Sequence, residues 1–218
     1  MNQISTDIYS FLEKEEKESA ISFILNKLQL KELDILDLYD ILTSFLNNYK
    51  FNQEDKSISI WKEHVTSAIV RTIVECCYPY VLQKRDDLNL QPKGTAIVLC
   101  PPGEYHDLGA RMVADYFTII GYNTIFVGSN TPYQDFYHAI HMIRPAVISI
   151  SVSNYYNLFA VSKIIETIKQ TYPHPVKIVV GGYAFQDDEM NKQNAVGADY
   201  YAKTFEDLIN FSVREVTL

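Results

Sequence analysis

The sequence predicts an α/β chain in which a doubly wound, five-stranded parallel sheet is preceded by an all-α four-helix bundle. Three observations predict it. From Thr95 onward, short apolar runs alternate with amphipathic stretches five times over. Before residue 82 the apolar residues recur only at helical spacing. A polar stretch, residues 83–94, ending in Pro92 and Gly94, separates the two patterns. The 218 residues suffice for one large or two small domains, and the pattern divides them into a helical bundle over 1–90 and an α/β domain over 91–218.

In order, a first helix follows the capping residues Ser5, Thr6 and Asp7 and carries Ile8, Phe11 and Leu12. A second carries Ile21, Ile24, Leu25 and Leu28. A third, from about Lys31, carries Leu36, Tyr39, Leu42, Phe45, Leu46 and Tyr49, and residues 50–56 form a polar loop after it. The fourth shows apolar pairs every four residues: Ile60/Trp61, His64/Val65, Ala68/Ile69, Thr72/Ile73, Cys76/Cys77 and Tyr80/Val81. These read as one broad buried face, with Pro79 expected to kink or end the helix and both cysteines in the core. Strands are expected at 95–99, 124–127, 146–151, 176–180 and, more weakly, 199–202. Helices are expected near 107–120, 133–143, 158–171, 187–194 and 205–214.

The net charge is −8, spread over helix-like surfaces, which argues against direct nucleic-acid binding. No apolar run approaches the ~18 residues of a membrane span, and no signal-peptide pattern precedes the first helix. With three cysteines and no CxxC spacing, the expected location is the cytoplasm.

The chemistry gathers in three loops at the carboxyl ends of strands, the edge where open α/β sheets bind ligands. The first reads Cys100-Pro-Pro-Gly-Glu104-Tyr-His106-Asp107-Leu-Gly109. Glu104 and His106 are two apart, so the carboxylate can hold one ring nitrogen while the other points outward, the support that a metal-ligating imidazole usually has. The second loop is Ser149-Ile-Ser151-Val-Ser153-Asn154, and the third is Gly181-Gly182-Tyr183-Ala184. Small residues and a glycine pair allow a bulky ligand close to the backbone. Other features are less specific. Asp135, His138 and His141 share a helix face and read as a zinc site or as a solvated polar face. Tyr155-Tyr156 either lines the cleft or caps a helix.

These three loops together resemble the cobalamin-binding domain family, with its Asp-x-His-x-x-Gly loop, a Ser/Thr element after the third strand and a Gly-Gly after the fourth, on a Rossmann-like sheet. The Pro101-Pro-Gly-Glu104-x-His106-x-x-Gly109 form, with Glu in place of Asp, and Val127-Gly-x-x-Thr131-Pro132 are similar to the cobalamin photoreceptor regulators of the CarH and LitR kind. In that group a helical bundle covers the upper corrin face and ends in a Glu-His pair, matched here by Glu63-His64. The Trp-His pair that precedes it there is replaced by Gln53 and Glu54, with Tyr49 or Phe51 as possible covers. With Met1 at the start of the bundle, no helix-turn-helix domain is expected.

The resemblance implies cobalamin, as adenosylcobalamin or methylcobalamin, bound with its nucleotide tail displaced and His106 as the lower cobalt ligand. Glu104 orients His106, and Asp107 and Gly109 complete the loop. Ser149, Ser151 and Ser153 lie along the tail, and Gly181 and Gly182 let it pass close to the backbone. Glu63 and His64 face the upper ligand, although His64 also reads as a core histidine. Trp61 reads as core packing or as corrin cover. The function expected first is a non-enzymatic cobalamin sensor, light-responsive if it follows the photoreceptor group, acting through a protein partner or self-association. The alternatives are a corrinoid methyl-carrier subunit of a methyltransferase system and a degenerate domain that has lost its cofactor.

Overall fold

A computed structural model describes residues 3–48, 56–186 and 189–216. Gln53, Glu54, Tyr49 and Phe51 lie outside the described residues. The chain divides into two compact units, Met1–Lys84 and Arg85–Leu218.

The first unit contains α1 (Gln3–Glu13), α2 (Lys17–Gln29), α3 (Ile35–Asn48) and α4 (Lys56–Cys76); α5 (Tyr78–Leu88) begins in it. Its core comprises Ile8, Leu12, Ile24, Leu38, Tyr39, Leu42, Phe45 and Ile73. Tyr9 meets Phe45 edge-on at 4.9 Å between centroids. The hydroxyl of Tyr80 donates to the Leu25 carbonyl at 3.4 Å, joining α5 to α2.

Several boundaries differ from expectation for identifiable reasons. α1 begins at Gln3, so Ser5, Thr6 and Asp7 lie inside it. α3 begins at Ile35 because Lys31 has φ +57°, outside helical space, and the Asp34 carboxylate accepts from the Leu36 amide at 2.9 Å. Pro79 cannot sit deep in a helix; the expected fourth helix therefore breaks at Cys77 into α4 and α5, bent by 46°, with Pro79 in the first turn of α5. Residues 83–88, expected as linker, belong to α5.

The buried face of α4 also differs. Four residues advance about 40° beyond a full turn, so pairs spaced strictly by four spiral around the helix. The buried residues are Thr66, Ile69, Val70, Ile73 and Val74, continuing to Cys77 and Val81, at the i, i+3, i+4 spacing that one helix face requires. Cys76 is exposed, and so are Ile60, Trp61 and His64. The core readings of Cys76, Trp61 and His64 are thereby corrected.

The second unit is a five-stranded, all-parallel sheet in the order β2-β1-β3-β4-β5. The strands are β1 (Thr95–Leu99), β2 (Asn123–Gly128), β3 (Val147–Ser151), β4 (Lys177–Gly181) and β5 (Tyr200–Tyr201). Helices α6 (Leu108–Ile119), α7 (Tyr133–Ile143), α8 (Leu158–Thr171) and α9 (Glu189–Val196) connect them, and α10 (Phe205–Val216) follows.

Strand alternation sorts the side chains onto two faces. Ile97, Leu99, Ile148, Ile150, Val152, Ile178 and Val180 form one face and pack with Phe136 and Ile140 of α7, Val161, Ile165 and Ile168 of α8, and Val196 of α9. The strand order reverses at β1: β2 lies on one side and β3 on the other. The carboxyl ends of β1 and β3 therefore border the switch point, where ligands of such sheets bind.

Among the described residues no single helix is long and apolar enough to cross a membrane; α4 and α5 reach that length and hydropathy only together, across their bend.

Candidate functional site

The loop after β1 is held by its neighbours on both sides. From the β2 side, the Asn130 amide donates to the Glu104 carbonyl at 2.8 Å, and its side-chain oxygen accepts from the Gly103 amide at 2.9 Å. Thr131 donates its amide to the Cys100 carbonyl at 3.1 Å. Gly103, at φ +80°, takes the left-handed conformation that bends the chain back toward the sheet.

From the β3 side, contact runs through the Glu104 side chain. One oxygen, Oε2, accepts from the amides of Ser153 and Asn154, each at 2.9 Å, and from the Asn157 side-chain amide at 3.2 Å. The other, Oε1, accepts from the His106 amide at 3.1 Å and lies 2.7 Å from His106 Nδ1. Glu104 thus spans the switch point, tying the end of β1 to the loop after β3.

The Glu104 side chain is 1% exposed and that of His106 71%. Burial alone would raise the Glu104 carboxyl, but the Asn154 amide, the His106 ring and the amides of His106 and Ser153 outweigh it and bring it down to about 2. An ionised carboxylate accepts hydrogen bonds only, so Nδ1 carries a proton, and in the neutral ring the lone pair lies on Nε2. Behind the loop, burial and then the nearby Asp107 and Glu104 charges push the Cys100 thiol up to about 12, which keeps it protonated and unreactive.

The remaining expected residues of this unit distribute as follows. Asp107 is buried at the start of α6, with Oδ2 3.9 Å from where a Cβ on Gly128 would lie. Gly109 sits in the first turn of α6, where a Cβ would meet nothing within 4 Å. Ser149 is buried and registered with Val98 and Val179, Ser151 is registered with Gly181, and Ser153 is half-buried beyond the strand end. Ser149, Ser151 and Gly181 occupy the sheet face opposite the Ile148/Ile150 core, giving it a run of small side chains.

The glycine pair answers first to the protein's own backbone. A Cβ on Gly182, at φ +103°, would fall 2.4 Å from the Val152 carbonyl oxygen, and one on Gly181 would fall 2.6 Å from that of Ala202. Glu63, His64 and Trp61 belong to the other unit, all exposed on the N-terminal half of α4. His141 packs edge-on between Tyr137 and Tyr172; among the described residues no group of three or more His, Cys, Asp or Glu could hold a bare metal ion. Tyr155 and Tyr156 stack at 4.0 Å and are exposed.

Asn130 and Asn157 are the site residues that sequence reasoning missed; Asn154 is marked as the end of the second loop but without a role. Asn130 lies within the Val127–Pro132 stretch already marked, but nothing in the sequence says that Asn157 reaches back 53 positions to Glu104.

The donor chemistry fits a metal carried in a macrocycle. One exposed imidazole nitrogen, with its partner nitrogen fixed by a buried carboxylate, can supply a single axial ligand but not a coordination sphere. The sequence profile of the B12 binding domain matches residues 94–209, more than half of the chain. The chain belongs to the B12 binding domain family. Cobalamin is its cofactor.

Among curated proteins, the chain is similar to trimethylamine corrinoid protein 1 of Methanosarcina acetivorans, 25% identical over 163 residues and covering 73% of each chain. It is also similar to trimethylamine corrinoid protein 1 of Methanosarcina mazei, 26% identical over 118 residues, 54% of this chain and 53% of that one. Among solved structures, the Methanosarcina barkeri monomethylamine corrinoid protein shares the fold with a TM-score of 0.76 at 14% identity, covering 95% of this chain and 96% of that one. A cobalamin-binding protein from Desulfitobacterium hafniense matches at TM-score 0.51 and 14% identity, over 97% and 98% of the two chains.

Proposed function

We propose that this chain is a corrinoid methyl carrier, the subunit of a methyltransferase system that presents cobalamin to partner enzymes. The observation that carries this reading is the exposed His106 ring backed by buried Glu104 at the switch point, in a chain similar over 73% of its length to a trimethylamine corrinoid protein. The carrier alternative therefore takes precedence over the sensor expected from Glu104 and the helical cap.

Bound cobalamin supplies a cobalt atom able to accept and release a methyl group. The chain's own residues hold and orient it. His106 would offer Nε2 to the cobalt, with Glu104 fixing the proton on Nδ1 and the orientation of the ring. The small-residue face of Ser149, Ser151 and Gly181, with Ser153 at its mouth, suits the displaced nucleotide tail. Trp61, Glu63 and His64 are assigned to the upper face. The proposed partners are a methyltransferase that loads the carrier from a small methylated amine or methanol and an enzyme that unloads it. On this reading the chain is not an enzyme by itself.

The test is to reconstitute the protein with cobalamin and present it, reduced, to methyltransferases specific for mono-, di- and trimethylamine and for methanol. Methylation of the bound corrinoid by one of them, followed by absorbance, is expected. Bound cobalamin that accepts methyl from none of them, with an oligomeric state that differs between dark and illuminated adenosylcobalamin samples, would overturn the carrier reading in favour of the light-responsive sensor.

A further inference from the structure

The two edges of the sheet are built differently. β5 is two residues long, preceded by Asp199 and followed two residues later by exposed Lys203. A strand that short, flanked by charge, offers another chain little to pair with. β2, the opposite edge, has six residues, more than any other strand of the sheet. It holds no proline and no charged residue, and residues 116–134 carry no formal charge. Its one register shift against β1 comes after Phe126. The protections usual at an exposed edge are thus missing along 123–126. The Asn123 amide points toward β1, donating to the Gly94 carbonyl at 3.0 Å. Backbone groups alternate sides along a strand, so those of Thr124 and Phe126 face outward. Among the described residues these outward groups meet no hydrogen-bond partner.

We propose that β2 pairs with β2 of a second copy of this chain, antiparallel about a two-fold axis at Ile125, which joins two five-stranded sheets into one. Charge decides the occupant. Each copy carries a net charge of −8, so most faces of two copies repel one another, and an uncharged edge is where they can approach most closely. The edge also complements itself. With Ile125 opposite its own copy, Thr124 of each chain stands opposite Phe126 of the other, and each such pair exchanges both backbone hydrogen bonds. A shift of register leaves outward groups unpaired. The side chains agree with this pairing: Phe126, under Arg111 of α6, meets a β-branched threonine on one face, and Ile125 meets isoleucine on the other. A six-residue ladder spans ~20 Å and buries less than the ~800 Å² per chain of a standard stable interface. The dimer is therefore reversible, with a dissociation constant in the range of about 1–100 μM.

Antiparallel pairing points the carboxyl edges of the two sheets in opposite directions, so the His106 loop of each copy stays open and the inference holds for a carrier and a sensor alike. Sedimentation velocity of the full chain, from about 1 to about 200 μM, is expected to show a monomer–dimer equilibrium. The dimer should gain as salt rises, because salt screens the repulsion between two acidic chains. Hydrogen exchange at the Thr124 and Phe126 amides should slow as protein concentration increases. Thr124→Pro removes an outward N–H at an edge position where proline is tolerated. It is expected to weaken the dimer about tenfold or more, with cobalamin uptake as in wild type. Val127→Lys, which places a cation on a half-exposed side chain of the same edge, serves if the proline variant does not fold. A chain that stays monomeric throughout, a dimer that weakens as salt rises, or one that survives both substitutions would overturn the inference. So would a dimer whose Thr124 and Phe126 amides exchange as in the monomer. Protection of those amides in a monomer would show that another segment of the chain covers the edge, and would overturn it equally.

Discussion

Glu104 and His64 both belong to motifs that point to the same cofactor, and their surroundings are opposite. Glu104 is sealed between two strand ends, with each oxygen taken by named donors. His64 stands exposed on the N-terminal half of α4, beside Trp61, which is 68% exposed. Around Glu104 the backbone supplies the partners: Asn130 holds the loop through Gly103 and the Glu104 carbonyl, and the amides of Ser153 and Asn154 donate to the carboxylate. On the N-terminal half of α4, Ile60, Trp61, Glu63 and His64 are exposed. The Glu104–His106 pair is held within its own unit, whereas the residues proposed for the upper face stand exposed on theirs.

Substitutions should break that comparison in a definite order. Gly182→Ala is expected to cost the most. Its Cβ would fall 2.4 Å from the Val152 carbonyl oxygen at φ +103°, so loss of folding or destabilisation above about 4 kcal/mol should appear in urea titration. Ile73→Ala, in the buried half of α4, should cost about 3 kcal/mol by the same measurement.

Glu104→Gln follows, with a pH signature. The carboxyl lies at about 2 in the folded chain against an ordinary 4.5, which is worth roughly 3 kcal/mol. Because the folded value is depressed, that stability is present in full above the unfolded value and is lost as pH falls through the folded one. The difference between wild type and Glu104→Gln should therefore be largest near neutrality and vanish toward about pH 2. A difference independent of pH would show that the carboxylate is not held as an ion. Trp61→Ala, in the exposed half of α4, should change the stability of the cofactor-free protein by less than about 0.5 kcal/mol; a cost like that of Ile73→Ala would erase the contrast within this helix.

Legibility in the sequence follows the same contrast. The sheet could be read because its strands are short apolar runs bounded by loops, and the expected helices at 133–143 and 158–171 coincide with α7 and α8. The Glu104–His106 contact could be read because a two-residue spacing leaves few ways to arrange it. The Asn157 contact could not, since it depends on β1 and β3 lying side by side, which only the strand order decides. In the helical unit the period of four in the apolar pairs hid the true face of α4, and the φ of Lys31 set the start of α3 without any glycine to mark it. The glycine pair was found for its openness, yet its nearest obligations are to Val152 and Ala202.

The measurement that tests the central claim most directly is electron paramagnetic resonance of cob(II)alamin bound to protein whose histidines carry nitrogen-15. Ligation by His106 predicts that the nitrogen splitting changes with the isotope and disappears in His106→Ala. A splitting that ignores the label, or that survives in His106→Ala, would contradict the assignment of His106 beneath the cobalt.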